Sequence, residues 1–363
     1  MNRSDIAIIR LHSQQLTCNT FTSPKQIVAW MGAMQAQDYP MARWAIGARL
    51  PGSNNQDIEA AIDNADIIRT HLLRPTWHFV AADDVGWMLD LTASHIKAAQ
   101  SSRDRELELT ETVYSKSNSI IEKALSHGIH LTRKELVAEL NKANIATDKN
   151  RASHLFTRAE LEKIICSGTF RNGKPTYALL SERVREHRKL TKEEAMAKLT
   201  SRYFASRSPA TLQDFTWWSG LSASDARQAL ELVNTDLNHE TIEGSTYWIA
   251  HDVTILTSSQ PSALLLPTYD EFLISYSDRH ASISVEFENH MKEISDRGIF
   301  RPIIVVNGQV LGIWKRTIKK ELMELELEFF TQPDKKIIRL IEDATAHFGD
   351  FLGKNIEVRL ITV

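Results

Sequence analysis

The sequence predicts an α+β protein made of three small units, each a set of helices followed by a β-hairpin, and a C-terminal module dominated by a sheet. Two observations support this prediction. Capped amphipathic helices followed by two short strands recur three times, and the last hundred residues change to alternating strands with one long helix. With 363 residues, the chain is long enough for two to four domains.

The first unit begins with an amphipathic helix near Asp5–Leu16. Ser23-Pro24 supplies an N-cap and a first helical position, so a second helix begins there. Pro40–Leu50 is predicted as a third helix. Two alternating segments, Ile67–Leu73 and Thr76–Val80, then form a predicted hairpin.

The second unit has the same order. Thr132–Glu135 has capping-box spacing, which predicts a helix over Lys134–Lys142. Another helix is predicted over His154–Cys166. Asn172-Gly173 then marks a hairpin turn, because both residues tolerate positive φ.

The third unit contains a helix-turn-helix signature. Pro209–Trp218 is predicted as a short helix that stops at Gly220, and a second helix covers Ala223–Val233. The predicted hairpin strands that follow are Thr246–Ile249 and Val253–Thr257.

Helices followed by a hairpin, three times over, are typical of tandem winged-helix domains. Three unrelated α+β units remain an alternative. The C-terminal module combines a hairpin around Asn307-Gly308 with a strand over Glu324–Phe330, a helix over Asp334–Phe351 and a closing strand. The predicted boundaries are 1–115, 116–188 and 189–260 for the winged-helix domains and 261–363 for the module.

Composition excludes several classes of protein. No apolar run approaches the ~20 residues of a membrane span, and the N-terminus lacks the order of a signal peptide, so a cytoplasmic location is predicted. Cys18 and Cys166 stand apart, which argues against a disulfide scaffold or a zinc ribbon. No phosphate-binding loop or metal motif occurs, so no cofactor and no metal are predicted. The net charge of −3 does not exclude nucleic acid.

The most unusual segment is Met34–Pro40, which contains Gln35 and Gln37. The apolar residues before this segment follow the spacing of one helix face. Gln35 stands four residues after Met31, where the next apolar residue of that face is expected. Pro40 prevents the helix from continuing. We therefore expect two amides to be presented at a helix end, beside the core.

The strand Thr76–Val80 should face this pair. Alternation places Trp77 and Phe79 on the core face, so Thr76 and His78 are expected to point outward toward the glutamines. A solvated or capping role is the plainer interpretation of His78.

Two other pairs of residues have a structural interpretation. Trp217-Trp218 is predicted to lie in a hydrophobic core and not to form a base-stacking platform. Asp270-Glu271 is predicted to cap a helix start, because adjacent helical carboxylates face different directions. An enzyme acting on small molecules through this pair would need carboxylates with raised pKa in a pocket.

Glutamine limits the chemistry to orientation and hydrogen bonding. An amide does not titrate near neutral pH, but its oxygen can orient a water and its NH₂ can donate. That suffices when the leaving group is already good, as in a purine made cationic by N7 alkylation. Simple DNA contacts would fit the same residues.

The chain resembles the AlkZ-like (YcaQ-type) winged-helix DNA glycosylases over nearly its whole length. Four segments carry the resemblance, the first matching a Q-x-Q motif and the second an L-R-G-T-x-H strand. They are Met34–Gln37, Leu73–His78, Pro209–Leu221 and Leu265–Glu271. Pro75 and Ser208 stand where the family has glycine. Pro75 fixes φ, so the hairpin can take a different path over the lesion, and the resemblance does not define the substrate range.

The resemblance implies a monofunctional DNA glycosylase that hydrolyses N7-alkylated purines and, in some members, opens interstrand crosslinks. Gln35 and Gln37 would be catalytic, with Tyr39, Thr76 and His78 lining the site. Double-stranded DNA is the expected partner and the protein is expected to be a monomer. The phosphate contacts are predicted from Arg43, Arg69, Arg74, Arg171 and Lys174. A non-catalytic winged-helix regulator is the alternative.

Overall fold

The computed structural model describes residues 1–185, 189–252, 261–319 and 322–362 and confirms the α+β class. In the first unit, a three-residue strand precedes the last two helices, and the hairpin follows them. The helices are α1 (Arg3–Ser13), α2 (Pro24–Met31), α3 (Tyr39–Gly47) and α4 (Asn55–Asp63), and the strands are β1 (Ala33–Gln35), β2 (Ile67–Leu72) and β3 (Thr76–Ala81). The antiparallel sheet has the order β1-β3-β2.

The second unit repeats this arrangement with the sheet order β4-β6-β5. Its elements are α5 (Ala82–Glu106), α6 (Glu111–Leu125), β4 (Leu131–Thr132), α7 (Arg133–Lys142), α8 (Arg151–Leu161), β5 (Ile165–Ser167), β6 (Thr176–Leu179) and α9 (Leu180–Arg183). The capping box of Thr132 is confirmed. The predicted helix through Cys166 is wrong at its end, because Lys163 adopts φ 60° and the buried residues after it form β5.

The third unit contains α10 (Lys192–Arg207), α11 (Leu212–Ser219), α12 (Ala223–Glu231), β7 (Leu237–Ile242) and β8 (Ser245–Ala250), with a 3₁₀ turn at Asn234–Asp236. The predicted hairpin is displaced. Its turn lies at Glu243-Gly244, where φ is positive at both residues, and Val253–Thr257 lies outside the described residues. An isolated bridge joins Ala210 to Trp248 on β8, at the position that β1 and β4 occupy in the other units.

The C-terminal module is built on a five-stranded sheet of order β15-β14-β13-β12-β9. Its elements are β9 (Ala263–Leu266), α13 (Glu271–Ile274), a 3₁₀ helix (Val285–His290), α14 (Met291–Ile294), β10 (Ser295–Asp296), β11 (Ile299–Phe300), β12 (Ile303–Val306), β13 (Gln309–Ile318), β14 (Leu322–Phe329), α15 (Lys335–Leu352) and β15 (Asn355–Thr362). The Asn307-Gly308 turn is confirmed. Helix α15 connects β14 to β15, which pair in parallel.

The first unit and the C-terminal module share one continuous hydrophobic core. Trp44 of α3 packs against Phe348 and Phe351 of α15, with ring centroids 4.8 and 5.1 Å apart. Its indole N–H donates to the carbonyl of Leu265 on β9 at 2.6 Å. The module is therefore not packed as an independent body.

The opposite face of the first sheet is also covered. Phe79 on β3 belongs to the core shared with the module, whereas Val80 belongs to a second core formed with α5 and the third unit. Tyr203 and Trp218 are fully buried in that second core. The sheet that carries β1 and β3 is thus enclosed on both sides.

Helix α11 approaches the first hairpin at Gly220, its αL C-cap. A Cβ added to Gly220 would lie 2.6 Å from the carbonyl oxygen of Leu73, and φ is +69°. Both the backbone conformation and the lack of space require glycine. The contact fixes the third unit against the end of the first hairpin.

We predict that Gly220→Ala lowers the free energy of unfolding by roughly 2 kcal/mol or more, since strain and a backbone clash combine. Gly52→Ala is the matched control. Gly52 has φ +83° and nothing within 4 Å of the added Cβ, so only the backbone cost of about 1 kcal/mol is expected. Urea unfolding of both variants measures the difference, and equal losses would contradict the predicted contact.

Candidate active site

Gln35 lies on a strand and not at a helix end. Helix α2 ends at Met31, Gly32 turns the chain with φ 70°, and Ala33–Gln35 form β1. Gln35 is directly opposite His78 on β3. The predicted continuation of the helix is wrong because the chain is held in extended form by bonds that are distant in sequence.

Those bonds come from Arg207 and Glu271. The Arg207 guanidinium donates to the carbonyls of Met31 at 2.7 Å and Ala33 at 2.9 Å, on either side of the Gly32 turn. The Glu271 carboxylate accepts from the backbone N–H of Gln35 at 2.7 Å. Arg207 and Glu271 are themselves joined at 2.8 Å. Together they define the path of β1.

The environment of Glu271 keeps it ionised. Burial raises the pKa of this carboxyl, but the Arg207 guanidinium and hydrogen bonds from Ser275 and Gln35 outweigh burial and lower the pKa to about 2. The indole N–H of Trp218 donates to the same carboxylate at 3.1 Å. A carboxylate with this pKa and these partners is no general base near neutral pH.

Asp270 has a different set of partners. It caps α13 by accepting from the backbone N–H of Phe272, as predicted, and its two oxygens accept from both terminal nitrogens of Arg49 at 2.9 Å. Both members of the Asp270-Glu271 pair are therefore bound to protein groups. This excludes the alternative in which they act on a small molecule.

The two glutamine side chains have different surroundings. Gln35 is 8% exposed, and the Thr76 hydroxyl donates to its amide oxygen at 3.3 Å. Gln37 is exposed. The carbonyl of Ala36, between them, accepts from Arg69 Nε at 2.9 Å. One amide is held in the fold and the other is presented to solvent.

His78 is buried, so the expectation that it points outward is wrong. The reason is that the first sheet is covered on both faces. Burial, reinforced by the positive charge of Arg74, lowers the pKa of His78 to about 3. The imidazole is therefore neutral at physiological pH, with Nδ1 3.0 Å from the carbonyl of Thr76.

Tyr39 begins α3 and lies between the first and second units. Its ring stacks on Phe170 at a centroid distance of 5.1 Å, and burial raises the pKa of its hydroxyl to about 12. It borders a cavity of about 230 Å³ between the units, along with Trp77, Arg69 and Glu160. The Glu160 carboxylate there accepts from the backbone N–H of His71 at 2.9 Å.

The predicted phosphate-contacting cations divide into two groups. Arg43 is paired with Glu59, and Arg69 is enclosed between the rings of Tyr39 and Trp77, so both are turned inward. The other three are at hairpin ends. Arg74 is half-buried beside the first hairpin, whereas Arg171 and Lys174 are exposed at the second, where Arg171 also pairs with Glu135.

The prediction for the tryptophan pair is half right. Trp218 is fully buried, but Trp217 is 45% exposed.

Among the residues that position Gln35, Arg207 was not predicted from the sequence. No local signal could have found it, since the carboxylate and the carbonyls that tie it to β1 lie 64 to 176 residues away in sequence.

The described residues contain no cluster of three or more histidine, cysteine, aspartate or glutamate side chains placed to hold a metal ion. Within the same ranges, no helix combines the length and hydropathy needed to cross a membrane.

Comparison with known proteins gives consistent results. Residues 28–351 match the family model described as DNA glycosylase AlkZ-like. A relative from Streptomyces sahachiroi named "Interstrand DNA cross-link repair glycosylase" is 22% identical over 97% of both chains. The solved structure of Streptomyces sahachiroi DNA glycosylase AlkZ superposes with a TM-score of 0.83 at 20% identity, covering 99% of this chain and 100% of that one. The last comparison shows a shared fold.

The pKa of Glu271 predicts a pH dependence of stability. Because the folded-state pKa of about 2 lies below the ordinary value of 4.5, ionised Glu271 stabilises the fold above pH 4.5. That contribution, up to about 3 kcal/mol, is lost as pH falls from 4.5 toward 2. Glu271→Gln should therefore be destabilised relative to wild type at neutral pH, and the difference should shrink on acidification.

Urea unfolding at several pH values measures this difference. Glu106→Gln is the control, because Glu106 forms an exposed surface pair with Arg103 that contributes little. A difference between wild type and Glu271→Gln that stays constant down to pH 3 would show that the carboxylate is not stabilised as described.

Proposed function

The chain belongs to the AlkZ-like family of DNA glycosylases, and we propose that it hydrolyses the N-glycosidic bond of N7-alkylated purines in duplex DNA. One observation supports this reaction most strongly. Gln35 and Gln37 match the Q-x-Q motif, and the strand that ends at Gln35 is fixed by a buried ion pair that also binds the Gln35 backbone. Gln35 therefore offers an amide at a defined position, and the exposed amide of Gln37 follows two residues later.

The proposed chemistry needs little acid-base assistance. Alkylation at N7 makes the purine cationic, so the base leaves without prior protonation. The protein must place a water and stabilise an oxocarbenium-like sugar in the transition state. Both are effects of orientation and electrostatics, which amide groups can supply.

We assign different roles to the two glutamines. The Gln35 oxygen accepts from Thr76, which leaves its NH₂ to donate to substrate or water. Gln37 is exposed and can orient the attacking water through its amide oxygen. His78 stays neutral above its pKa of about 3, so it supports the strand without adding a charge. Tyr39 borders the neighbouring cavity between the first and second units, whose lining includes neither glutamine.

We further propose that duplex DNA lies against the first and second hairpins, with phosphates contacted by Arg74, Arg171 and Lys174. Residues 1–115, 116–188 and 189–260 would act as winged-helix domains and 261–363 as the supporting module, in a cytoplasmic, nucleoid-associated monomer. Because the Streptomyces sahachiroi relative is named a cross-link repair glycosylase, crosslinked duplex is proposed as a second substrate.

We predict that wild-type protein releases free base from a duplex carrying one N7-methylguanine, measured in single turnover. Gln35→Ala and Gln37→Ala should each slow release by about 10²-fold or more, as for removal of one transition-state hydrogen bond. The rate should be nearly constant from about pH 5 to 8, since no titrating side chain takes part.

Gln56→Ala is the control, since Gln56 is exposed on α4 away from the strand; it should react as wild type does. Equal DNA binding by all variants separates catalysis from recognition. Binding without base release from either the methylated or the crosslinked duplex would overturn the proposal and favour a regulator. Release unaffected by both substitutions would place the chemistry elsewhere.

A further inference from the structure

Trp217 is a large aromatic side chain left open at the surface. It lies near the end of α11, and 45% of its area is exposed. Its indole N–H donates to the carbonyl of Ile274 at 3.0 Å. This bond anchors one edge of the ring, so Trp217 is fixed in place while its apolar surface is available to a partner.

Two arginines flank this ring. The guanidinium carbons of Arg74 and Arg279 lie 5.4 and 5.8 Å from the Trp217 ring centroid. Neither forms an ion pair with a residue in the described ranges, and Arg74 Nε is buried without a hydrogen-bond partner there. Their guanidinium groups retain unused donors.

The carboxylates near the two arginines form their close contacts with other residues. Glu271 is paired with Arg207 at 2.8 Å, and Asp214 lies 3.7 Å from Arg10. Asp278, which also lies near Arg279, is 2.6 Å from His280 Nδ1. In the described residues, none of these three carboxylates forms an ion pair with Arg74 or Arg279. Two positive charges therefore remain beside an exposed aromatic ring, which is an arrangement suited to an anion joined to a flat apolar group.

These three side chains are close in sequence or space to the hairpin that faces Gln35 on β1. Arg74 precedes Thr76 by two residues, and the Thr76 hydroxyl donates to Gln35. The close packing of Gly220 on the Leu73 carbonyl fixes α11, and hence Trp217, against this hairpin. DNA bound at Gln35 would pass within reach of the ring.

We propose that Trp217, Arg74 and Arg279 bind one unpaired nucleotide of the DNA substrate. The base stacks on Trp217 and its phosphate is held by the two arginines. In an intact duplex both faces of a base are covered by its neighbours, so the indole can stack only where pairing is disrupted. The inference rests on the proposed function only in that the partner is DNA.

The test uses two undamaged duplexes that offer no alkylated base, one fully paired and one with a single unpaired thymidine. Fluorescence anisotropy gives the affinity for each. We expect wild type to prefer the unpaired site, and Trp217→Ala to weaken that complex about tenfold, as for loss of one base–aromatic stack, with the paired duplex little affected. Trp217→Phe should retain most of the preference.

Leu232→Ala is the matched control, because Leu232 is also an exposed apolar residue, 43% accessible, but lies beyond α12. Arg279→Gln should weaken binding, and the slope of log affinity against log salt concentration should fall by an amount that corresponds to about one released counterion. No preference in wild type, or a preference unchanged in Trp217→Ala, would overturn the proposal. The binding test uses undamaged DNA and does not depend on base release. A preference for the unpaired site that depends on Trp217 would therefore support this proposal even if the glycosylase test failed.

Discussion

The buried ion pair between Arg207 and Glu271 holds the structure together at the point where three parts of the chain meet. Arg207 belongs to α10 of the third unit, Glu271 begins α13 of the C-terminal module, and both bind the backbone of the first unit around β1. Compared with apolar residues of similar volume, two buried charges bring little net stability, because desolvation offsets most of their attraction. What the pair supplies is a defined path for a strand of three residues, and with it the position of Gln35.

The neighbouring pair, Asp270 with Arg49, extends the same principle. Successive carboxylates at the start of α13 reach two arginines from different units, Arg49 just after α3 and Arg207 on α10. The segment thereby joins the first unit to the third. Charge is balanced inside the protein at this position, next to the neutral amide of Gln35.

The features that could be predicted from sequence are those determined locally. The caps at Ser23 and Thr132, the stop at Gly220 and the Asn307-Gly308 turn depend on neighbouring residues, and each is found as predicted. The glutamine motif could also be recognised. The strand under it could not, because β1 is specified by a hydrogen bond between residues 236 positions apart. Burial of His78 likewise depends on a second core that no local pattern reveals.

The separation between Gln35 and Glu271 also constrains how the protein is made. A ribosome that has synthesised the first unit has produced both glutamines, but the carboxylate that fixes the strand of Gln35 is added 236 residues after Gln35. Non-local contacts of this kind form late in folding. Nascent or prematurely terminated chains would therefore carry the motif without an ordered site, so incomplete copies of a DNA glycosylase would remain inactive until most of the polypeptide is present.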